Sequence, residues 1–162
     1  MTERELQGEA LIEFLRQSFT LTPLHQLLAL RMVPADGDTV VVEMPVREEA
    51  FNQSGNLHGG AIATLVDVAS GSCAARSGSF RPGENTLVTA DLHVRYLGRP
   101  KGALVRATAR LLRSGRMLVV VETHVVDDLG NTIASADFSG MVVPLRQPME
   151  RAPTGDARFV DL

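Results

Sequence analysis

Between His58 and Arg76 the only ionisable side chains are the thiol of Cys73 and the carboxylate of Asp67. Around Asp67 stand Ala61, Ile62, Leu65, Val66, Val68 and Ala69, and an isolated carboxylate in apolar surroundings is costly unless hydrogen-bonded or paired. Asp67 is therefore a candidate for acid–base or nucleophilic work; the alternative is a structural carboxylate held by an arginine or backbone amides. Just upstream, His58-Gly59-Gly60 opens the same apolar stretch. At a helix start the first N–H groups lack partners and the dipole is positive, which suits developing negative charge, and glycine lets a ligand approach the backbone. Equally, the glycines could serve only a tight entry turn. His-Gly-Gly also occurs in the oxyanion loops of serine esterases, but the chain holds no Gly-x-Ser-x-Gly, so that mechanism lacks its nucleophile. Asp67 stands about 12 Å along a helix axis from Gly59, too far for one chain to bring both easily to one reacting group. Two antiparallel central helices in a two-fold dimer would do so.

From Leu92 to Val121 there is no acid, while Arg95, Arg99, Lys101, Arg106, Arg110, Arg113 and Arg116 all fall there. Arginine's planar fork suits phosphate oxygens, most directly at the turn Arg113-Ser114-Gly115-Arg116; arginines at alternate strand positions can also be a plain solvated face. Only Tyr96 offers an aromatic platform in this stretch, which weighs against nucleic acid. His25, His58, His93 and His124 share no metal-type spacing with each other or with Cys73, so no metal is expected. Thr89, Asp91, His93 and Arg95 read as a polar stripe on one strand face.

The elements that must position these groups follow from periodicity. Leu6, Ala10, Leu11, Phe14, Leu15 and Phe19 recur at helical spacing, predicting an amphipathic helix over 3–18, and Pro23 resets the chain. Leu28, Leu30 and Met32, then Val40, Val42, Met44 and Val46, alternate as two strands of a hairpin turned by Asp36-Gly37-Asp38. After the loop 47–57, residues 59–77 read as a helix apolar or small on every side, hence buried all round. Strands are predicted near 87–96, 103–113, 117–127 and 132–143; their short links imply that consecutive strands pair antiparallel, as a meander. A helix enclosed by one sheet requires that the sheet curl around it and that something cover the remaining face, and dimerisation is the expected cover.

Length and composition bound the rest. The 162 residues suit one domain with tails, and 44% hydrophobic and 22% charged residues are those of a chain with a folded core. Residues 1–22 are expected as an N-terminal helix, 23–143 as the domain and 144–162 as an extended tail. No apolar run reaches 18 residues, the length that would suggest a membrane helix. A net charge of −3 argues against a global basic field for nucleic acid. Acids at Glu3 and Glu5 precede the first apolar residues, unlike a secretory signal. With the single cysteine, Cys73, a cytoplasmic setting is expected. The sequon Asn52-Gln53-Ser54 is set aside on the same ground.

From Leu24 to Val143 the sequence resembles a hotdog-fold acyl-CoA thioesterase of the PaaI-like group. The match is strongest at Asn52-Gln-Ser-Gly-Asn-Leu-His58-Gly59-Gly60-Ala-Ile-Ala-Thr-Leu-Val-Asp67, and extends to Val88-Thr-Ala-Asp-Leu-His-Val-Arg-Tyr96 and to the turn 113–116. The resemblance implies an α+β hotdog fold, a curved antiparallel sheet wrapped around a central buried helix, here with an extra N-terminal helix. It makes Asp67 the catalytic carboxylate and Gly59 the backbone donor to the thioester carbonyl, with His58 beside it. Asn52 would hold the water or carbonyl and Thr89 would add a hydroxyl, while Arg113, Ser114, Gly115 and Arg116 would meet the phosphates of coenzyme A. Neither a metal nor a bound cofactor is implied, and the expected assembly is a homodimer or dimer of dimers with sites at the subunit interface. A hotdog hydratase or dehydratase and a non-catalytic acyl-CoA-binding module are the competing classes.

Overall fold

The structure, a computed structural model, describes residues 13, 15, 17, 19–35 and 39–145. Residues 13, 15, 17 and 19–21 are helical, extending the predicted first helix beyond Ser18, and Leu15 packs with Ala75 and Phe80. The rest of that predicted helix, the Asp36-Gly37-Asp38 turn and the tail beyond residue 145 lie outside the described residues. A short helix α1 (Pro23–Leu27) follows, with Pro23 in its first turn, where a missing N–H is no loss. Leu28, expected in a strand, instead ends α1, and Ala29 takes a positive φ of 48° before β1 (Arg31–Val33) begins.

One antiparallel sheet of six strands then builds around α2 (Gly59–Ala75), in the order β1-β2-β4-β5-β6-β3. Its members are β1, β2 (Thr39–Pro45), β3 (Asn85–Tyr96), β4 (Leu104–Ser114), β5 (Leu118–Asp127) and β6 (Thr132–Pro144). Alternation sets the inner face: Val40, Val42 and Met44 of β2, Val105, Ala107 and Ala109 of β4, and Val119, Val121 and Val125 of β5 are buried against Leu65, Val66 and Ala69 of α2. Small side chains on β4 and α2 let helix and sheet approach closely. The hydroxyls of Ser70 and Thr123, 2.8 Å apart, satisfy each other within this core.

The expected meander holds for β4, β5 and β6 but not for β3, which pairs with β6 and forms an edge of the sheet. The link 97–103 crosses the end of the sheet. Leu97 and Gly98 donate to the Ile133 carbonyl (2.9 and 3.2 Å), and Lys101 and Gly102 donate to the Asp127 carboxylate (2.8 and 3.2 Å). A short link thus joins strands that do not pair, because it runs over the β5–β6 turn rather than folding back. Asp127 also accepts from Leu129 and Asn131. Burial opposes its ionisation, but these donors win and hold its carboxyl far below the ordinary carboxylate range.

The outer face of the sheet shows where part of the basic segment goes. Glu43 is buried between Arg31 and Arg106 on the two flanking strands and is bonded to both guanidinium groups. Burial raises the Glu43 pKa, and the two arginines outweigh it to leave the carboxyl below its usual range. Arg95 likewise meets Asp137 and Arg110 meets Glu122. Among the described residues Arg99, Lys101, Arg113 and Arg116 make no ion pair.

Candidate functional site

The loop leading to α2 is built as a clamp. After a 3-10 turn at Glu48–Ala50, Phe51 and Leu57 bridge, and the Asn52 side-chain oxygen accepts from the N–H groups of Ser54 (2.9 Å) and Asn56 (3.2 Å). Gly55 supplies the positive φ of 70° that this tight loop needs. Asn52 Oδ1 is thus committed inside the loop. His58 then enters α2 with its own N–H bonded to the Ala50 carbonyl at 2.7 Å.

At the helix start the donors are shared out one by one. The His58 carbonyl accepts from Ala61 (2.9 Å) and Ile62 (3.2 Å), and His58 Nδ1 accepts from the Gly60 N–H at 2.8 Å. A neutral His58 therefore carries its proton on Nε2. The Gly59 N–H is left with no partner among the described residues, at the positive end of a 17-residue helix. Gly60 has a steric reason of its own, since a Cβ there would lie 2.9 Å from His58 Nδ1. Tyr96, which sequence reasoning treated only as a stacking surface, donates its hydroxyl to the Gly59 carbonyl at 3.1 Å and pins the helix start to β3.

Asp67 is not enclosed as the apolar pattern predicts. Ala63, Thr64, Asp67, Val68 and Gly71 form a half-exposed stripe along α2, because the sheet covers only the other faces. Asp67 Oδ1 accepts from the Thr89 hydroxyl at 2.9 Å. The predicted polar stripe on β3 is split at this point: a bulge leaves Ala90 without a partner and shifts the register between Thr89 and Asp91. Before it Thr89 turns toward α2; after it the inward positions are Leu92 and Val94, which pack on the core, while His93 and Arg95 share Asp137. The alternation cannot be read through an unseen extra residue.

The structure thus joins Asp67 to Thr89 and gathers Asn52, His58, Gly59 and Gly60 at the helix start. It does not bring the turn 113–116 there. Ser114 donates to the Ser77 carbonyl (3.0 Å) and Ser79 donates to the Gly115 carbonyl (3.1 Å), which docks that turn beyond the far end of α2, about 24 Å from Gly59 by helix rise. A cavity of about 270 Å³ opens beside Asp67 and Thr89, walled by the N-terminal helix, α2 and β3. Among the described residues no three His, Cys, Asp or Glu side chains group as metal ligands, and no helix is long and apolar enough to cross a membrane.

A curved antiparallel sheet around one long helix is the hotdog fold, here of a thioester hydrolase. The chain belongs to the thioesterase superfamily, whose family model matches residues 54–134. A relative from Halobacterium salinarum is 34% identical over 106 residues, 64% of this chain and 69% of its own. Acyl-coenzyme A thioesterase 13 of Mus musculus is 34% identical over 88 residues, 54% of this chain and 60% of its own length. A thioesterase of Pseudomonas aeruginosa superposes with a TM-score of 0.75 at 25% identity, over 82% of this chain and 94% of that one. The PaaI protein of E. coli, from its phenylacetic acid degradation operon, shares the fold with a TM-score of 0.72 at 17% identity, over 85% and 96%.

Proposed function

We propose that the chain hydrolyses acyl-coenzyme A thioesters at sites shared between two copies of itself. The observation that carries this reading is the Gly59 N–H, left over when its neighbours are satisfied, on the same helix as a carboxylate held by a hydroxyl. In the reaction the Gly59 amide stabilises charge developing on the thioester oxygen, an effect worth about 3 to 4 kcal/mol for one well-placed donor. Asp67 either takes a proton from attacking water or attacks the carbonyl itself to form an anhydride that water opens. On either route the C–S bond breaks, the electron pair leaves with sulfur as coenzyme A thiolate, and the acid is released. Thr89 orients the carboxylate, His58 holds Gly60 at the helix start, and the Asn52 amide faces the carbonyl or water.

Arg113 and Arg116, with no carboxylate partner among the described residues, take the phosphates of the nucleotide, with Ser114 and Gly115 shaping their turn. A homodimer, or a dimer of dimers, accounts for the separation of Gly59 and Asp67 along α2, for the half-exposed stripe on that helix and for the long edge of β3 that pairs with no strand among the described residues. A cytoplasmic setting goes with this substrate and with Cys73, the single cysteine. The test is thiol release from a panel of acyl-CoAs, by the parent protein and by Asp67→Asn. We expect kcat of the folded variant to fall by about two to four orders of magnitude; near-normal turnover would remove Asp67 from the mechanism.

A further inference from the structure

Along α2 the cavity beside Asp67 is bordered by Asp67, Gly71 and Ala75, which stand four residues apart and so lie one above another on a single face. The rest of its wall is mostly apolar, with Leu15 and Phe19 from the N-terminal helix, Phe80, Leu87 of β3 and Phe138 of β6. Asp67, bonded to Thr89, stands at one end of this row. At the other end Ala75 is buried against Leu15 and Phe80. The cavity therefore runs from the carboxylate along the helix to a closed apolar end, and a thioester poised for attack would lay its acyl group there.

Among the described residues nothing requires glycine at position 71. It lies in the interior of α2, where glycine is less favourable than alanine, and its φ is not among the positive ones. A Cβ built on it meets no atom of the described residues within 4 Å. Gly60 on the same helix differs, because a Cβ there would collide with the His58 ring. The open space over Gly71 belongs to the cavity itself, one turn beyond the carboxylate, and any side chain at this position would project into it.

We propose that Gly71 is a specificity-determining residue: its missing side chain leaves room for the acyl chain to pass along α2 from Asp67, and the contact of Ala75 with Leu15 and Phe80 stops that chain. This rests on the acyl-CoA reading above and names the acyl class within it, apolar groups of limited length. From Asp67 to Ala75 the helix rises about 12 Å. An extended alkyl chain advances about 1.3 Å per carbon, given C–C bonds of about 1.5 Å, so about nine carbons fit. The volume agrees, since an apolar cavity of about 150 Å³ holds the six carbons of benzene and this one, at about 270 Å³, holds roughly ten on the same scale.

Thiol release from straight-chain acyl-CoAs, butanoyl to hexadecanoyl, tests it. In the parent protein kcat/KM should peak at about eight to ten carbons and fall by about tenfold or more at fourteen, since one methylene too many in a hydrophobic pocket already has an effect of that size. Gly71→Leu should lower the octanoyl-to-butanoyl ratio by about tenfold or more, whichever way the absolute rates move. Gly71→Ala should shift that ratio the same way by less while raising Tm, and Leu15→Ala, which opens the closed end, should raise the tetradecanoyl-to-octanoyl ratio. An unchanged octanoyl-to-butanoyl ratio in folded Gly71→Leu, or a parent profile with no length limit, would overturn the proposal. So would dissociation of folded Gly71→Ala into monomers in sedimentation, which would put a second copy of the chain rather than an acyl group over Gly71. If Gly71→Leu does not fold, the same ratio in Gly71→Ala decides. Where no acyl-CoA releases thiol, the hydrolytic reading fails by itself and calorimetric titration with 2-alkanones of four to ten carbons reads the cavity alone. Binding that tightens with length in the parent protein but not in Gly71→Leu supports the proposal; the same affinities in both proteins overturn it.

Discussion

Gly60 shows how one position can trade stability against activity. An alanine in a helix interior is more favourable than glycine by about 1 kcal/mol, yet here its Cβ would meet His58 Nδ1 at 2.9 Å and turn the ring away. Losing the cap costs about the same, so Gly60→Ala should leave Tm nearly unchanged while kcat falls by about tenfold or more, because the displaced ring uncovers a second N–H and disturbs the Gly59 donor. Thermal unfolding and thiol-release kinetics on one preparation check both halves. A parallel fall in Tm and kcat would mean that the ring matters only for folding. In the proposed mechanism Asp67 and Thr89 form the other half of the site, and their separation from Gly60 along α2 makes the two lesions independent within a chain.

Among the elements, the β5–β6 turn and the β3–β4 link depend on a single carboxylate. Asp127 bonds four backbone N–H groups and the Asn131 amide, and its folded-state pKa is held down. Unfolded chains take up the proton first on acidification, so this stability is complete above the ordinary carboxylate pKa, about 3.9, and is lost as pH falls below it. Asp127→Asn should lower Tm at neutral pH and flatten the acid limb of a Tm-against-pH series; an unchanged acid limb would assign acid sensitivity elsewhere. The β4–β5 turn carries a functional expectation instead. Arg113→Ala or Arg116→Ala should raise KM for acyl-CoA with little change in kcat, by a factor that shrinks with salt. Acyl-pantetheine, which lacks the nucleotide phosphates, should be handled as by the parent protein, and an equal loss on both substrates would leave these arginines as a solvated face.

For the whole molecule, the decisive property is whether one chain suffices. Gly59 and Asp67 are about 12 Å apart along the same helix, and the stripe from Ala63 to Gly71 is only partly buried by the described residues. If two copies meet there, mixing Asp67→Asn with Asn52→Ala subunits makes heterodimers in which one site carries both lesions and the other carries neither. Random exchange of equal amounts would restore about one quarter of parental sites by this segregation. Activity that stays at the level of the separate variants, with exchange verified by mass-tagged subunits, would place each site within one chain, and a monodisperse active monomer in sedimentation would do the same.

Much of this was legible from local pattern. The extent of α2, the four long strands and the lack of other charges beside Asp67 on that helix follow from periodicity and composition, because they depend on neighbours in the chain, whereas the full burial expected of Asp67 does not hold. What the pattern could not reach depends on segments distant in sequence. The place of β3 beside β6 is decided by the path of its link over the Asp127 turn, and the inward aim of Thr89 by a bulge whose existence requires a partner strand to be out of step. Glu43 neutralises Arg106 only because β2 lies against β4. The His58 ring takes the Gly60 N–H while the Gly59 N–H has no partner among the described residues, and His25 meets the Asp67 cavity only because the N-terminal segment folds onto α2. Sequence determined the groups and the helix that carries two of them; tertiary structure decided which donors were left over, since a hydrogen bond is spent by whichever partner the packing brings within reach.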